Sequence, residues 1–338
     1  MSVRAAVGGN GPADALFGAR GGEAVRRLRQ LTLGLVLGLA ACAGGDPKIS
    51  DCALIKLAET PLDVRGTLQF VPARIAGQPV TLMLDTGAER TVLTEAAVTR
   101  LGLKRDPRYV TQTYGIGGPS TNMDAPLPDG LTLGGTRFPV DRVAVGHFAI
   151  DHVPGAPPDG LLGADLLLAF DMDLNLPAGR MTLWRARRCG RTRPPWSVPS
   201  VEIDGVGSRR DRMLLPIVLD GAAGQAVLDT GAQSTTVSLG FARSAGVTDI
   251  MLATDLTAIA HGAAPNSVPV HVHHFAELRV GPAVIHDPVL PVVPVDTSFG
   301  DALVGGDFLL GRRVWLAFAT HQMFVTPLGP PTAVAARP

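Results

Sequence analysis

Two heptapeptides, 144 residues apart, constrain this chain more tightly than any other feature. Leu82-Met83-Leu84-Asp85-Thr86-Gly87-Ala88 returns as Ala226-Val227-Leu228-Asp229-Thr230-Gly231-Ala232. Each copy drives an apolar strand into an acid, a hydroxyl and a glycine. The surroundings repeat in register, with Pro72 and Pro216 each 13 residues before their aspartate. Residues 68–75 read as a strand, 76–79 as a turn and 80–84 as the returning strand. The second copy reads as strand 213–219, turn 220–224 and strand 225–228.

The duplication continues downstream. Thr94 is placed to cap a short helix that Gly102 ends, and Ser238 and Gly246 repeat this at the same offset. A glycine-rich segment follows in each half. Tyr114-Gly115-Ile116-Gly117-Gly118 puts its first glycine 30 residues after Asp85, and Ala260-His261-Gly262-Ala263-Ala264 puts its glycine 33 after Asp229. Glycine suits a hairpin tip that bends and lets another backbone approach. Last comes Asp159-Gly160-Leu161-Leu162-Gly163-Ala164-Asp165, echoed by Asp301-Ala302-Leu303-Val304-Gly305-Gly306-Asp307.

Composition agrees with many short strands and turns. The 338 residues include 40 Gly and 28 Pro, with 46% apolar but only 5% aromatic residues, so the core must be aliphatic. Formal net charge is zero, which gives no basic excess for nucleic acid. Residues 185–212 carry eight arginines and read as an exposed linker. His271-Val272-His273-His274 sets two imidazoles on one strand face, yet no acid or cysteine at ligand spacing supports a metal site. No Gly-x-Ser-x-Gly elbow and no Ser/His or Cys/His pairing is recognisable.

The first 42 residues read as a targeting segment. Arginines 26, 27 and 29 precede the apolar run 31–41, which is too short to span a bilayer. The run ends in Leu39-Ala40-Ala41-Cys42, which resembles a bacterial lipobox whose cysteine is acylated. That implies a membrane anchor without a spanning helix, and Ala43 in place of aspartate implies the periplasmic side of the outer membrane. Residues 1–24 lack apolar periodicity, so translation is expected to begin at Val25; precursor peptides from 1–24 would refute this. With Cys42 lipidated, Cys52 and Cys189 remain as an even pair bracketing the first half, and an oxidising compartment favours a disulfide over two buried thiols.

The duplicated Asp-Thr-Gly-Ala after a hydrophobic strand resembles the retroviral-type (retropepsin-like) aspartic proteases, over about residues 61–328. The resemblance implies a mainly β fold of two retropepsin-like lobes forming a pseudo-two-fold dimer within one chain. It implies catalytic Asp85 and Asp229, with Thr86 and Thr230 bonded across the pseudo-axis. Gly87 and Gly231 are expected to let backbone amides reach the carboxylates. Tyr114, Gly115 and Gly117, and more loosely His261 and Gly262, are expected in flaps over an extended peptide. Family members carry an arginine after the glycine of the last motif; here Ala164 and Gly306 stand there, which puts that structural ion pair in doubt.

The expected division is a signal segment 1–42, a tether with an edge strand 43–60, lobes 61–186 and 213–328, a linker 187–212 and a tail 329–338. The chemistry that follows is an aspartic endopeptidase needing no cofactor or metal, monomeric, lipid-anchored outside the cytoplasm and without nucleic acid. A lipid-anchored peptide-binding protein without turnover is the alternative that the same fold allows.

Overall fold

The computed structural model describes residues 52–115, 118–146, 154–209, 212–262, 267–294 and 300–327. Cys42 with its lipobox, the Val25 start, Ile116 and Gly117 at the first glycine-rich tip, and the tail 329–338 lie outside the described residues. Among the described residues no helix is long and apolar enough to cross a membrane.

Among the described residues, two ten-stranded sheets, one per lobe, and a six-stranded sheet shared by both make up the fold. In the first lobe Leu68–Ile75 and Gln78–Leu84 form a hairpin, and in the second Arg212–Leu219 and Ala222–Leu228 do the same. Both connections are two residues long, shorter than the four- and five-residue turns expected. Ala76 and Gly77 both take positive φ, as do Asp220 and Gly221. That is the backbone of a type I′ turn, whose twist matches the strands it joins. Pro72 faces Thr81 and Pro216 faces Gln225, so the two prolines occupy equivalent ladder positions.

The helices form where their caps place them. Thr94 Oγ1 accepts from the Ala97 amide ahead of Glu95–Arg100, and Ser238 Oγ accepts from the Phe241 amide ahead of Leu239–Ser244. Gly102 and Gly246 follow in the left-handed region. The second lobe adds another helix, Asp249–Thr254, capped by Thr248.

The six-stranded sheet runs in the order Ala53–Pro61, Arg180–Arg187, Asp171–Asn175, Arg313–Ala317, Gln322–Val325, Val201–Asp204. The first three strands come from the first lobe and the last three are their counterparts, so the pseudo-axis passes between Asp171–Asn175 and Arg313–Ala317. Ala53–Pro61 is the expected edge strand, longer than its apolar run. Cys52 and Cys189 are joined by a disulfide that pins its start to the end of Arg180–Arg187. The segment 187–212, expected as an exposed linker, instead straps this sheet. It contributes Val201–Asp204 to the ladder, and Trp196 packs edge-on to Trp315 with centroids 6.3 Å apart. Arg191 and Arg193 are both drawn onto Glu202, Arg191 at 2.6 Å.

One face of the shared sheet, with Met172, Leu174, Leu183, Leu316 and Met323, belongs to a core continuous through both lobes. Burying an aliphatic side chain there stabilises by about 1.5–3 kcal/mol. The lobes therefore do not hang from a hinge; their cores merge across the sheet. This fixes the two Asp-Thr-Gly turns relative to each other.

Candidate active site

Each turn emerges where a strand is flanked by a threaded partner. Gln78–Leu84 runs parallel to Gly160–Leu162, and Ala222–Leu228 runs parallel to Ala302–Val304. The ladders end on the aspartates: the Asp85 amide donates to Leu162 O at 3.0 Å and the Asp229 amide to Val304 O at 2.9 Å. A Cβ on Gly163 would collide with the backbone of Arg90, and one on Gly305 with that of Ser234. Glycine is needed there because the chain passes through the loop that follows each turn.

The carboxylates that flank the threaded strands also have structural work that the sequence did not assign. Asp159 accepts from the Thr81 amide and Asp301 from the Gln225 amide, both at 2.9 Å. In place of the family arginine, Asp165 accepts from the Thr91 amide and hydroxyl at 2.9 and 2.7 Å. Asp307 accepts from the Thr235 amide and hydroxyl in the same way, with the hydroxyl bond at 2.8 Å. A carboxylate thus closes each loop, and in the first lobe Arg90 lies 3.4 Å from Asp165.

The two turns meet through their threonines. The Thr86 amide donates to Thr230 Oγ1 at 3.0 Å and the Thr230 amide to Thr86 Oγ1 at 3.1 Å. Each hydroxyl then donates across the axis, Thr86 to Leu228 O and Thr230 to Leu84 O, both at 2.8 Å. Four reciprocal bonds made by these two buried residues, two to each other and two to the facing strand carbonyls, hold the turns in a single geometry.

Asp85 and Asp229 face each other above this lattice. Asp85 Oδ1 accepts from the Gly87 and Ala88 amides at 3.0 and 2.8 Å, and Asp229 Oδ1 from the Gly231 and Ala232 amides at 2.9 and 3.1 Å. The glycines serve a second purpose beyond the amide approach expected of them. A Cβ on Gly87 would collide with the Asp229 carboxyl, and one on Gly231 with the Asp85 carboxyl. Ala88 and Ala232 pack on matched apolar clusters that include Phe70, Met83 and Leu161 in one lobe, and Leu214, Val227 and Leu303 in the other. An apolar methyl suits those clusters better than a hydroxyl.

Both carboxyls keep partial solvent contact, yet their dense surroundings govern ionisation. Asp85 is held well above the usual carboxylate range, by burial first and then by the negative charge of Asp229. Asp229 is also raised by burial, against the opposing Gly231 and Ala232 amides, Asp85 and the Arg212 guanidinium. Like charges this close oppose each other's formation, so the second carboxyl gives up its proton less readily than the first. This is the behaviour for which aspartic proteases themselves serve as the standard example.

The remaining expected site residues lie on two hairpins. Asp106–Gly115 and Gly118–Pro126 pair up to Gly115 opposite Gly118, with Tyr114 opposite Pro119. Leu256–Ala260 pairs with Val268–His274, and His261 and Gly262 follow the first of these strands outside any regular element. Among the described residues, no group of three or more His, Cys, Asp or Glu could hold a metal ion. His273 is instead buried with Nδ1 2.7 Å from Asp255, an acid 18 residues upstream that spacing rules did not find. Sequence reasoning also missed Arg212, whose Nη2 lies 3.1 Å from Glu89. Only Arg212's place 17 residues before Asp229 and Glu89's place 4 after Asp85 hinted at it.

A family model described as aspartyl protease matches residues 71–166 and again 215–312, together more than half of the chain and one Asp-Thr-Gly turn in each match. No curated protein matches significantly. Among solved structures, the aspartic proteinase from Irpex lacteus aligns with 84% of this chain and 100% of its own, at 13% identity and a TM-score of 0.49.

Proposed function

The chain belongs to the aspartyl protease family, and from that premise we propose that it is an endopeptidase in which Asp85 and Asp229 activate one water molecule between them. The ionised carboxylate takes a proton from the water as its oxygen attacks the scissile carbonyl carbon. The protonated carboxyl gives its proton to the carbonyl oxygen. The resulting tetrahedral diol collapses as the dyad's proton passes to the amide nitrogen, the C–N bond breaks, and a diol hydroxyl returns its proton to the other carboxylate, so that the dyad again holds one proton. No acyl-enzyme forms, so no nucleophilic side chain is required. The substrate is an extended peptide adding a strand by backbone hydrogen bonds, with the glycine-rich hairpins as its cover.

The observation that carries this reading is the mutual approach of the two carboxyls, so close that neither Gly87 nor Gly231 has room for a Cβ. Two acids brought together from 144 residues apart, each fed by two amides and neither paired with a cation in direct contact among the described residues, suit proton exchange better than structural support. Cleavage of a mixed peptide library by the purified chain tests it. Asp85→Asn and Asp229→Asn should each abolish cleavage. A chain that binds library peptides and cuts none would refute the endopeptidase and leave a peptide-binding protein on the same fold.

We propose further that Cys42 is acylated and the protein held at the periplasmic face of the outer membrane. Leu39-Ala40-Ala41-Cys42 supports this, and the Cys52–Cys189 disulfide fits an oxidising compartment. Cys42→Ala should abolish incorporation of labelled palmitate and release the protein from the membrane fraction; retained label would refute it.

A further inference from the structure

The surroundings of the two dyad acids differ in charge, and what this does to them rests on the protease reading. Arg212, at the start of Arg212–Leu219, has a side chain only 7% exposed. It reaches from the second lobe into the turn of the first. Its Nη2 lies 3.1 Å from Glu89 Oε1, and Nη1 donates to Gly87 O at 3.4 Å. Gly87 is the residue against which the Asp229 carboxyl sits. A step of 144 residues gives the mirror positions, which are Leu68 for Arg212 and Gln233 for Glu89. Leu68 is buried and apolar, Gln233 is neutral, and the contact there is Thr67 Oγ1 donating to Gln233 O at 2.6 Å. Among the described residues a buried cation therefore stands on one side of two chemically identical acids, with no counterpart at the mirror position.

We infer that Arg212 is a positioning residue that breaks the pseudo-two-fold symmetry of the dyad, holding the negative charge on Asp229 and leaving the shared proton with Asp85. It acts through its field and through the Gly87 carbonyl, without touching substrate. The ionisation of the pair agrees: Arg212 opposes the burial-driven rise of Asp229, while Asp85 is driven higher by burial and by Asp229 itself. Asp229 is then the base that takes the proton from water, and Asp85 the acid that protonates the carbonyl oxygen. Glu89, on the first-lobe turn and 43% exposed, offsets part of the Arg212 charge. Arg90 on the same loop is engaged by Asp124 and Asp165 at 3.3 and 3.4 Å.

The test uses the full chain, its cleavage rate on a mapped library peptide as a function of pH, and a carbon-13 NMR titration of the two carboxyls. Removing a nearby cation makes the anion harder to form. Arg212→Met should thus move the acidic limb of the profile up by about half a pH unit or more, while Arg212→Lys leaves it in place. Glu89→Gln, which unmasks the cation, should move that limb down. A folded Arg212→Met variant with an unmoved limb overturns the inference, as does Glu89→Gln moving it upward. If Arg212→Met fails to fold, the half-exposed Glu89 site decides. An unmodified chain that cleaves nothing refutes only the protease reading. The titration then decides alone: Asp229 ionising before Asp85 supports the inference and the reverse order overturns it.

Discussion

Thr86 and Thr230 exchange amide-to-hydroxyl bonds of 3.0 and 3.1 Å across the pseudo-axis, so each lobe's turn is completed by the other lobe. Neither residue is more than 3% exposed. Replacing Thr86 by Val removes an acceptor for the Thr230 amide and a donor for Leu228 O, leaving both unsatisfied in the interior. Each such orphan costs about 1–3 kcal/mol. Thr86→Val should therefore lower stability by about 2–6 kcal/mol, measured by urea unfolding, whereas Thr86→Ser should cost little. Equal losses in the two variants would show that the methyl, not the hydroxyl, matters.

Gly87→Ala separates geometry from folding. The φ of Gly87 is not among the positive values, so alanine meets no backbone strain there. Its Cβ meets the Asp229 carboxyl instead. Displacing a catalytic group by about 1 Å costs on the order of 100-fold in rate. The variant should lose at least that much in kcat while its Tm stays close to the parent's. A fully active Gly87→Ala chain would mean that the carboxyls need not approach each other.

How much of this was legible in the sequence depends on the range of the interaction. Thr94, Ser238, Gly102 and Gly246 act within one helix turn, and their caps stand where local rules put them. Duplication gave the register of Pro72 and Pro216 without any structure. The turn read over 76–79 was two residues too long, because Pro79 counts locally as a turn residue. Pro79 instead sits inside Gln78–Leu84, facing Arg74. Contacts between segments far apart left little trace. Arg212 looked like one more arginine of a linker, and its bond to Glu89 spans 123 residues. The proximity of Gly87 to Asp229 exists only once the two lobes are assembled.

The disulfide acts on the unfolded chain. Cys52 and Cys189 are 137 residues apart, a long loop to close. The chain-entropy account assigns such a cross-link about 5 kcal/mol, with measured values commonly lower. Replacing both cysteines by Ser should lower the urea midpoint by more than any surface substitution, and should fray Ala53–Pro61 first, since its N-terminal end is what the bond secures. Hydrogen exchange reads this directly. Protection lost in Ala53–Pro61 and Arg180–Arg187 but retained in Arg313–Ala317 is the expected result. Uniform loss across the six-stranded sheet would contradict it.

Asp171 makes stability depend on pH through a group far from the dyad. It is 4% exposed, on the face of the shared sheet that carries Trp184 and Trp315, and its Oδ2 has no hydrogen-bond partner among the described residues. Burial pushes its pKa up to about 6, partly offset by the Thr192 hydroxyl. The neighbouring Asp173, by contrast, is neutralised by Arg313 at 2.6 Å and bonded by the Trp196 indole at 3.1 Å. A carboxyl whose pKa is higher folded than unfolded binds more protons in the native state. Its favourable contribution is complete below about pH 4 and is lost as the pH rises through about 6, amounting to about 3 kcal/mol at most. Above that pH the native state must accommodate a buried anion. Asp171→Asn removes the titrating group while keeping its shape. In urea unfolding from pH 4 to pH 7, the variant should gain on the parent steadily across that window and hold a constant advantage beyond it. Parallel curves for the two proteins would show that Asp171 is charged, and stabilised, throughout.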